Sequence, residues 1–276
     1  MTFDASTKAF LFGFAVTAGL MLGTDIAHAQ GASPPPDDQV SGTIALGVAT
    51  IPEFEGAEKQ RVIPLVSGQV RWGNRYFAIE GVTARLNVLD SETFELGPVA
   101  ELTFGRRAKL KTLAVRALGR IDDAYQIGSF AAVRGNSVLT EGDQLRGSIQ
   151  MTRDVSDVHK GWLGQAAIDY RLPVSSRFTL SAQTALRFAD DKYARTYFSV
   201  SQDGATASGL QAFNAMGGIK DLGFSLTGSY SLSRHWSVLG YGGYRRLVGD
   251  FGKSPIVRTA GSRNQISGGV GVAYSF

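Results

Sequence analysis

Residues 93–104 read TFELGPVAELTF and alternate with a period of two. Phe94, Leu96, Pro98, Ala100, Leu102 and Phe104 fall on one face; Thr93, Glu95, Gly97, Val99, Glu101 and Thr103 fall on the other. Successive side chains of a strand point to opposite sides, so this segment reads as a strand with an apolar face and a face carrying two carboxylates. Charged groups are costly to place in hydrocarbon. If the apolar face meets lipid, the glutamate face lines a lumen.

The same pattern recurs along the chain. Residues 145–153 set Leu145, Ile149 and Met151 against Arg146, Ser148, Gln150 and Thr152. Residues 162–172 set Trp162, Ile168, Tyr170 and Leu172 against Gln165, Asp169 and Arg171, and 178–188 set Phe178, Leu180, Ala182, Leu186 and Phe188 against Thr179, Ser181, Gln183 and Arg187. Residues 222–232 oppose Leu222, Phe224, Leu226, Tyr230 and Leu232 to serines and Thr227. Segments of about ten residues match a tilted strand crossing a bilayer, and aromatics near their ends fit the interfacial girdles of membrane barrels. Candidate lumen-lining residues are Glu95, Glu101, Gln165, Asp169, Arg171, Gln183 and Arg187.

Alternation by itself suits a soluble sandwich as well as a membrane barrel. The stretch 264–276, NQISGGVGVAYSF, separates them: Ile266, Val270, Val272, Tyr274 and Phe276 share one face, and the sequence stops on the aromatic. Val272, Tyr274 and Phe276 resemble the C-terminal signature read by the barrel-assembly machinery of the outer membrane. The fold expected is all-β, a transmembrane antiparallel β-barrel of about twelve strands, with ten to fourteen compatible. The strands are placed near 40–49, 61–72, 75–84, 93–104, 110–118, 124–134, 144–154, 161–172, 177–188, 222–232, 236–247 and 264–276. The tight connectors at 73–74, 173–176 and 233–235 are expected on the periplasmic side, and the long ones at 50–60, 189–221 and 248–262 on the outside.

The N-terminus reads as an address. Lys8 precedes the apolar stretch 9–23, shorter than the roughly 20 residues of a spanning helix, and Ala27-His28-Ala29 gives the small-x-small pattern of a signal-peptidase site. Cleavage is expected between Ala29 and Gln30, leaving 1–29 as a signal peptide, 30–39 as a flexible Pro-rich lead and 40–276 as the barrel. The expected location is the outer membrane.

Composition agrees. There are 34 Gly in 276 residues with only 8 Pro, which suits crowded or curved strands rather than disorder. The absence of Cys excludes disulfide and thiolate-metal frameworks and a lipid-modified N-terminus. The net charge of +4 is scattered, without a basic run, so no nucleic-acid partner is expected.

Several segments carry a family resemblance: IPEFEGAEKQRVIPLVSGQVRW at 51–72, ELGPVAELTFGR at 95–106, DDKYARTYFSVS at 190–201, residues 208–250, KSPIVRTAGSRNQ at 253–265 and the closing GVGVAYSF. Together they resemble the MipA/OmpV family (MltA-interacting protein), with 107–160 the loosest part. The resemblance implies an outer-membrane envelope protein that scaffolds a murein-degrading transglycosylase and a murein synthase. Porin-like and adhesin-like roles are its alternatives. Lipid and lipopolysaccharide are the expected surroundings.

No enzyme is expected. After cleavage the remaining histidines are His159 and His235, one in an outward loop and one in a periplasmic turn, too far apart to share a Ser–His site. Asp190, Asp191 and Asp203, or Glu53 and Glu55, lack the spacing of a calcium loop and read as loop carboxylates. No cofactor or metal is expected. Residues 54–56 and 193–200 are the first places to look for a plug.

Overall fold

The computed structural model describes residues 40–276. The proposed signal peptide, its cleavage site at Ala27, Ala29 and Gln30, and the 30–39 lead lie outside the described residues.

Twelve antiparallel strands close into a barrel in which each pairs with its sequence neighbours and the first pairs with the last. They are β1 (Ser41–Pro52), β2 (Gln60–Trp72), β3 (Arg75–Glu80), β4 (Thr83–Asn87), β5 (Phe94–Thr103), β6 (Ala124–Asn136), β7 (Gln144–Asp154), β8 (Trp162–Pro173), β9 (Phe178–Ala189), β10 (Gly218–Ser231), β11 (Trp236–Leu247) and β12 (Asn264–Ser275). Five short helices lie in the loops: α1 (Leu113–Ala117), α2 (Asp191–Phe198), α3 (Gln202–Ser208), α4 (Gly249–Lys253) and α5 (Pro255–Arg258). Among the described residues no helix is long and apolar enough to cross a membrane. The strands do the crossing, since a closed sheet satisfies every backbone group internally.

Closure is continuous. β1 and β12 pair from Thr43↔Ser275 to Thr50↔Gly268. Beyond that ladder, Gly42 and Phe276 exchange two backbone hydrogen bonds of 2.9 Å. Close approach of neighbouring strands explains part of the glycine content: a Cβ on Gly97 would lie 1.8 Å from the Leu86 carbonyl oxygen.

The faces sort as alternation requires. Ile44, Leu46, Val48, Leu96, Ile149, Ile168, Leu226 and Val270 are exposed on the outside, whereas Thr43, Ala45, Ala49, Glu95, Asp169 and Ala273 are buried within. Aromatics frame the outer belt: Phe94, Tyr230, Trp236 and Tyr274 at the end bearing both termini, and Tyr125, Trp162, Phe188 and Tyr244 at the other. The lumen is two-sided. At mid-height the walls of β1, β2, β11 and β12 present small or apolar residues (Ala45, Ala49, Ile63, Leu65, Leu239 and Ala273) and those of β3 to β9 present charge, while Arg61 on β2 and Arg245 on β11 add charge toward the plugged end.

Two expected strands are corrected, and the errors cancel in the count. Residues 75–84 are not one strand but the start of a hairpin, because Gly81, at φ +62°, turns the chain between β3 and β4. Residues 110–118 are not a strand; they contain α1. Val115 of this helix and Leu110 before it are buried in one cluster, against which the partly buried Ala114 and Leu118 pack. Phe104, expected on the outer face, lies just past β5 and turns inward onto the Ala45–Ala273 cluster.

Candidate functional site

The interior polar residues form two belts and a plug. The lower belt starts at Tyr76 on β3, whose hydroxyl donates to Glu95 Oε2 at 2.7 Å. Glu95 also accepts from Arg134 and from Arg146, the latter through Nε at 2.9 Å. Arg146 continues to Asp169 Oδ2 at 3.2 Å, and Gln183 donates to Asp169 Oδ1 at 2.5 Å. The register makes this possible: Arg134 faces Arg146, Arg146 faces Asp169, and Asp169 faces Gln183 on successive strands. A buried charge holds its place only when paired and hydrogen-bonded. Here each carboxylate has a guanidinium.

The upper belt runs from Glu80, paired with Arg85, through Gln150, which accepts from Arg85 Nη2 at 2.9 Å and donates to Glu101 at 2.9 Å. On the adjoining strands Arg187 donates through Nε to Gln165 at 3.1 Å and lies 3.8 Å from Asp221. A β-bulge in β10 supplies the next link. Ile219 pairs with Phe188 and Asp221 with Arg187, which leaves Lys220 as the extra residue. Consecutive Lys220 and Asp221 therefore both turn inward, as a bulge allows, and both are buried.

Above the belts sits the plug, built from the long loops. Asp190 caps α2 by accepting from the Tyr193 amide at 3.0 Å, and the helix buries Tyr193, Ala194, Tyr197 and Phe198 on one side. That side packs on Leu163, Leu247, Phe251 and Val257. Phe198 meets Phe251 edge-on at 5.1 Å, and Ser254 donates to the Phe198 carbonyl at 2.6 Å. A second apolar cluster joins Phe54, Val115, Val200, Leu210 and Ile256, which ties α1 and α5 to the first loop.

The plug meets the upper belt at Glu55. The Tyr193 hydroxyl donates to Glu55 at 2.6 Å, and Lys220 Nζ lies 2.7 Å from the same carboxylate. Lys220 also donates to the Tyr193 hydroxyl at 3.4 Å and stands 4.9 Å from its ring centroid. Burial alone would raise the Glu55 carboxyl; Lys220 and then Arg245 outweigh it and hold it below the ordinary carboxylate range. Burial first, and the Glu55 charge second, push the Tyr193 phenol well above its usual value. The plug thus rests on a neutral tyrosine, a carboxylate and an ammonium. Below it lies a chamber of about 110 Å³.

The sequence-derived site residues fall as follows. Glu95, Asp169 and Gln183 are in the lower belt, Glu101, Gln165 and Arg187 in the upper, and Arg171 lies on the same face as Asp169, opposite Ser181. Val272, Tyr274 and Phe276 are exposed on the outside. His159 is at the plugged end and His235 at the end bearing the termini, where its Nδ1 lies 2.9 Å from the Ser275 carbonyl. Among the described residues no cluster of His, Asp and Glu is arranged to hold a metal. Asp191 instead accepts from the Gly217 amide at 2.7 Å, and Glu53 from the Lys111 amide at 3.3 Å. Lys220, Asp221 and Arg245 were missed. The bulge breaks the alternation at the first two, and the pair Arg245-Arg246 leaves the inward residue ambiguous by composition alone.

An apolar outer belt between aromatic girdles, a charged interior and a helical plug define an outer-membrane β-barrel with a filled lumen. The chain belongs to the family described as MltA-interacting protein MipA, whose profile matches residues 44–276. A 104-residue stretch is 24% identical to YiaT of Escherichia coli (strain K12), a protein named for the outer membrane. That match covers 38% of this chain and 42% of YiaT, so it spans less than half of the relative's length. Among solved structures, an outer membrane channel from Pseudomonas putida F1 is 10% identical with a TM-score of 0.47, covering 89% of this chain and 100% of that one. The NanC porin is 10% identical with a TM-score of 0.40, covering 86% and 99%.

Proposed function

We propose that this protein is a non-catalytic, non-conducting outer-membrane barrel that anchors a murein-degrading transglycosylase, and through it a murein synthase, at the periplasmic face. The observation that carries the reading is the filled lumen: two polar belts and a plug occupy the path a solute would take. Function then falls to the surfaces, and the family description supplies the partner.

Five turns make the face at the end bearing the termini, which is periplasmic because outer-membrane barrels keep short turns there. The 137–143 turn is the best ordered by its own contacts. Asp143 accepts from the amides of Val138, Leu139 and Thr140 at 2.6, 3.0 and 2.8 Å and from the Tyr170 hydroxyl at 2.9 Å. Leu139, held out by this turn, is 70% exposed, and Leu232 and Val174 stand out from neighbouring turns. Their exposed apolar side chains offer a partner its first contacts. Photo-crosslinkers placed at Leu139 and Leu232 are expected to trap a lytic transglycosylase in cells. Recovery of no murein enzyme from either position, with the barrel intact, contradicts the reading.

Val272, Tyr274 and Phe276 are proposed as the strand read by the assembly machinery, and the exposed loops of the plugged end as the part that meets lipopolysaccharide. A second reading, a narrow channel that conducts when the plug is displaced, draws on the chamber beneath α2. Glu95, Glu101, Gln165, Asp169, Arg171, Gln183 and Arg187 would line its path.

A further inference from the structure

The chamber under the plug has a charge imbalance and one unengaged cation. Its charged walls are Arg61, Arg187, Lys220 and Arg245 against Glu55 and Glu101. Asp221, behind the wall and beside Arg187, adds a third carboxylate. In the lining itself cations outnumber carboxylates.

Arg245 is where that charge is least satisfied. Lys220 is engaged by Glu55, Arg187 by Gln165 and Asp221, and Glu101 by Gln150. Among the described residues, no hydrogen bond and no ion pair within 4 Å reaches the Arg245 guanidinium; Asp221 and Glu55 act on it only at longer range. It lies between the chamber and a second, smaller hollow and lines both. A guanidinium carries five N–H donors in a planar fork matched to a carboxylate, and that of Arg245 opens onto the two hollows.

We propose that this chamber binds one small monocarboxylate, gripped by Arg245. Size sets the class. A cavity of about 150 Å³ takes up benzene, so about 110 Å³ holds roughly four or five non-hydrogen atoms, an acetate or a propionate. Charge favours an anion, because cations outnumber carboxylates in the lining. Ile51, Phe54 and Leu163 in the same walls offer an apolar surface to a short alkyl tail, which neither chloride nor phosphate can use.

The test is saturation-transfer NMR on the full-length folded barrel in detergent micelles, with propionate as the probe. Saturable transfer to the propionate methyl is expected, with affinity lower by about tenfold in R245Q and unchanged in R177Q, a variant of an exposed turn residue. R245K, which keeps the charge but loses the fork, is expected to fall between them. Phosphate and chloride at equal ionic strength are expected not to compete. Heat-modifiable gel mobility confirms the folding of each variant; where R245Q fails to fold, R245K decides. Absence of saturable transfer, equal affinity in R245Q or R245K, or competition by phosphate as strong as by acetate would overturn the assignment.

Discussion

The Tyr193 hydroxyl donates a 2.6 Å hydrogen bond to the Glu55 carboxylate, 138 residues away in the chain. One residue lies on a helix of the plug and the other in the first outer loop, and Lys220 from the β10 bulge completes the triangle. This contact joins the polar interior of the barrel to its helical cap.

Substituting Glu55→Gln keeps an acceptor for Tyr193 but leaves Lys220 without its closest counter-charge. Removing one partner of a buried pair costs about 3 kcal/mol or more. Asp221, 4.0 Å from Lys220, moderates the loss. Amide exchange over residues 191–198 is expected to quicken by about a hundredfold, at 1.4 kcal/mol per factor of ten. Unchanged protection would show that the apolar clusters alone hold the plug.

His159 gives the plug a dependence on pH. Burial, the largest influence, lowers its pKa, Lys220 adds to this, and Asp154 and Asp190 pull the other way. Its Nδ1 accepts from the Gly161 amide at 3.1 Å, Nε2 faces the Gln126 amide at 2.9 Å, and Tyr193 packs edge-on at 5.0 Å. The folded state disfavours the charged ring. The stabilisation is therefore complete above the unfolded value of about 6.5 and is lost as pH falls toward the lower folded value. Protease cleavage within 190–217 is expected to rise as pH drops below about 6.5, and H159Q is expected to flatten that rise. An identical profile in H159Q assigns it to other groups.

In the lower belt, Glu95→Ala strips Tyr76, Arg134 and Arg146 of their shared acceptor. Arg146 retains Asp169 at 3.2 Å, whereas Arg134 loses the carboxylate it donates to. A loss of about 3 to 5 kcal/mol is expected, read as a lower guanidinium midpoint for the barrel in lipid vesicles. A midpoint equal to wild type would mean that the belt is not a source of stability.

The outer belt carries the membrane assignment. Leu226 is exposed on the outside of β10. Leu226→Arg is expected to cost about 2 to 4 kcal/mol in lipid, as for a charge near the bilayer midplane. On a soluble barrel the same surface change stays within about 0.5 kcal/mol. Vesicle unfolding distinguishes the two.

The barrel was legible because alternation is a local property. Residues 93–104 and 264–276 each announce a strand and its two faces without reference to the rest of the chain, and Glu95, Asp169 and Gln183 follow directly. Three things depend on more than local pattern. The Gly81 turn splits a run that looks continuous, a short helix at Leu113–Ala117 interrupts a strand-rich chain, and the bulge at Lys220 brings two neighbouring residues to one face. The pairing of Glu55 with Tyr193 is set by how loops meet in space, so the sequence marked both segments without joining them.

The filled lumen is tested most directly by planar-bilayer recording of the folded wild-type barrel. A silent protein at low voltage is expected. A steady ohmic current through the intact barrel would contradict it.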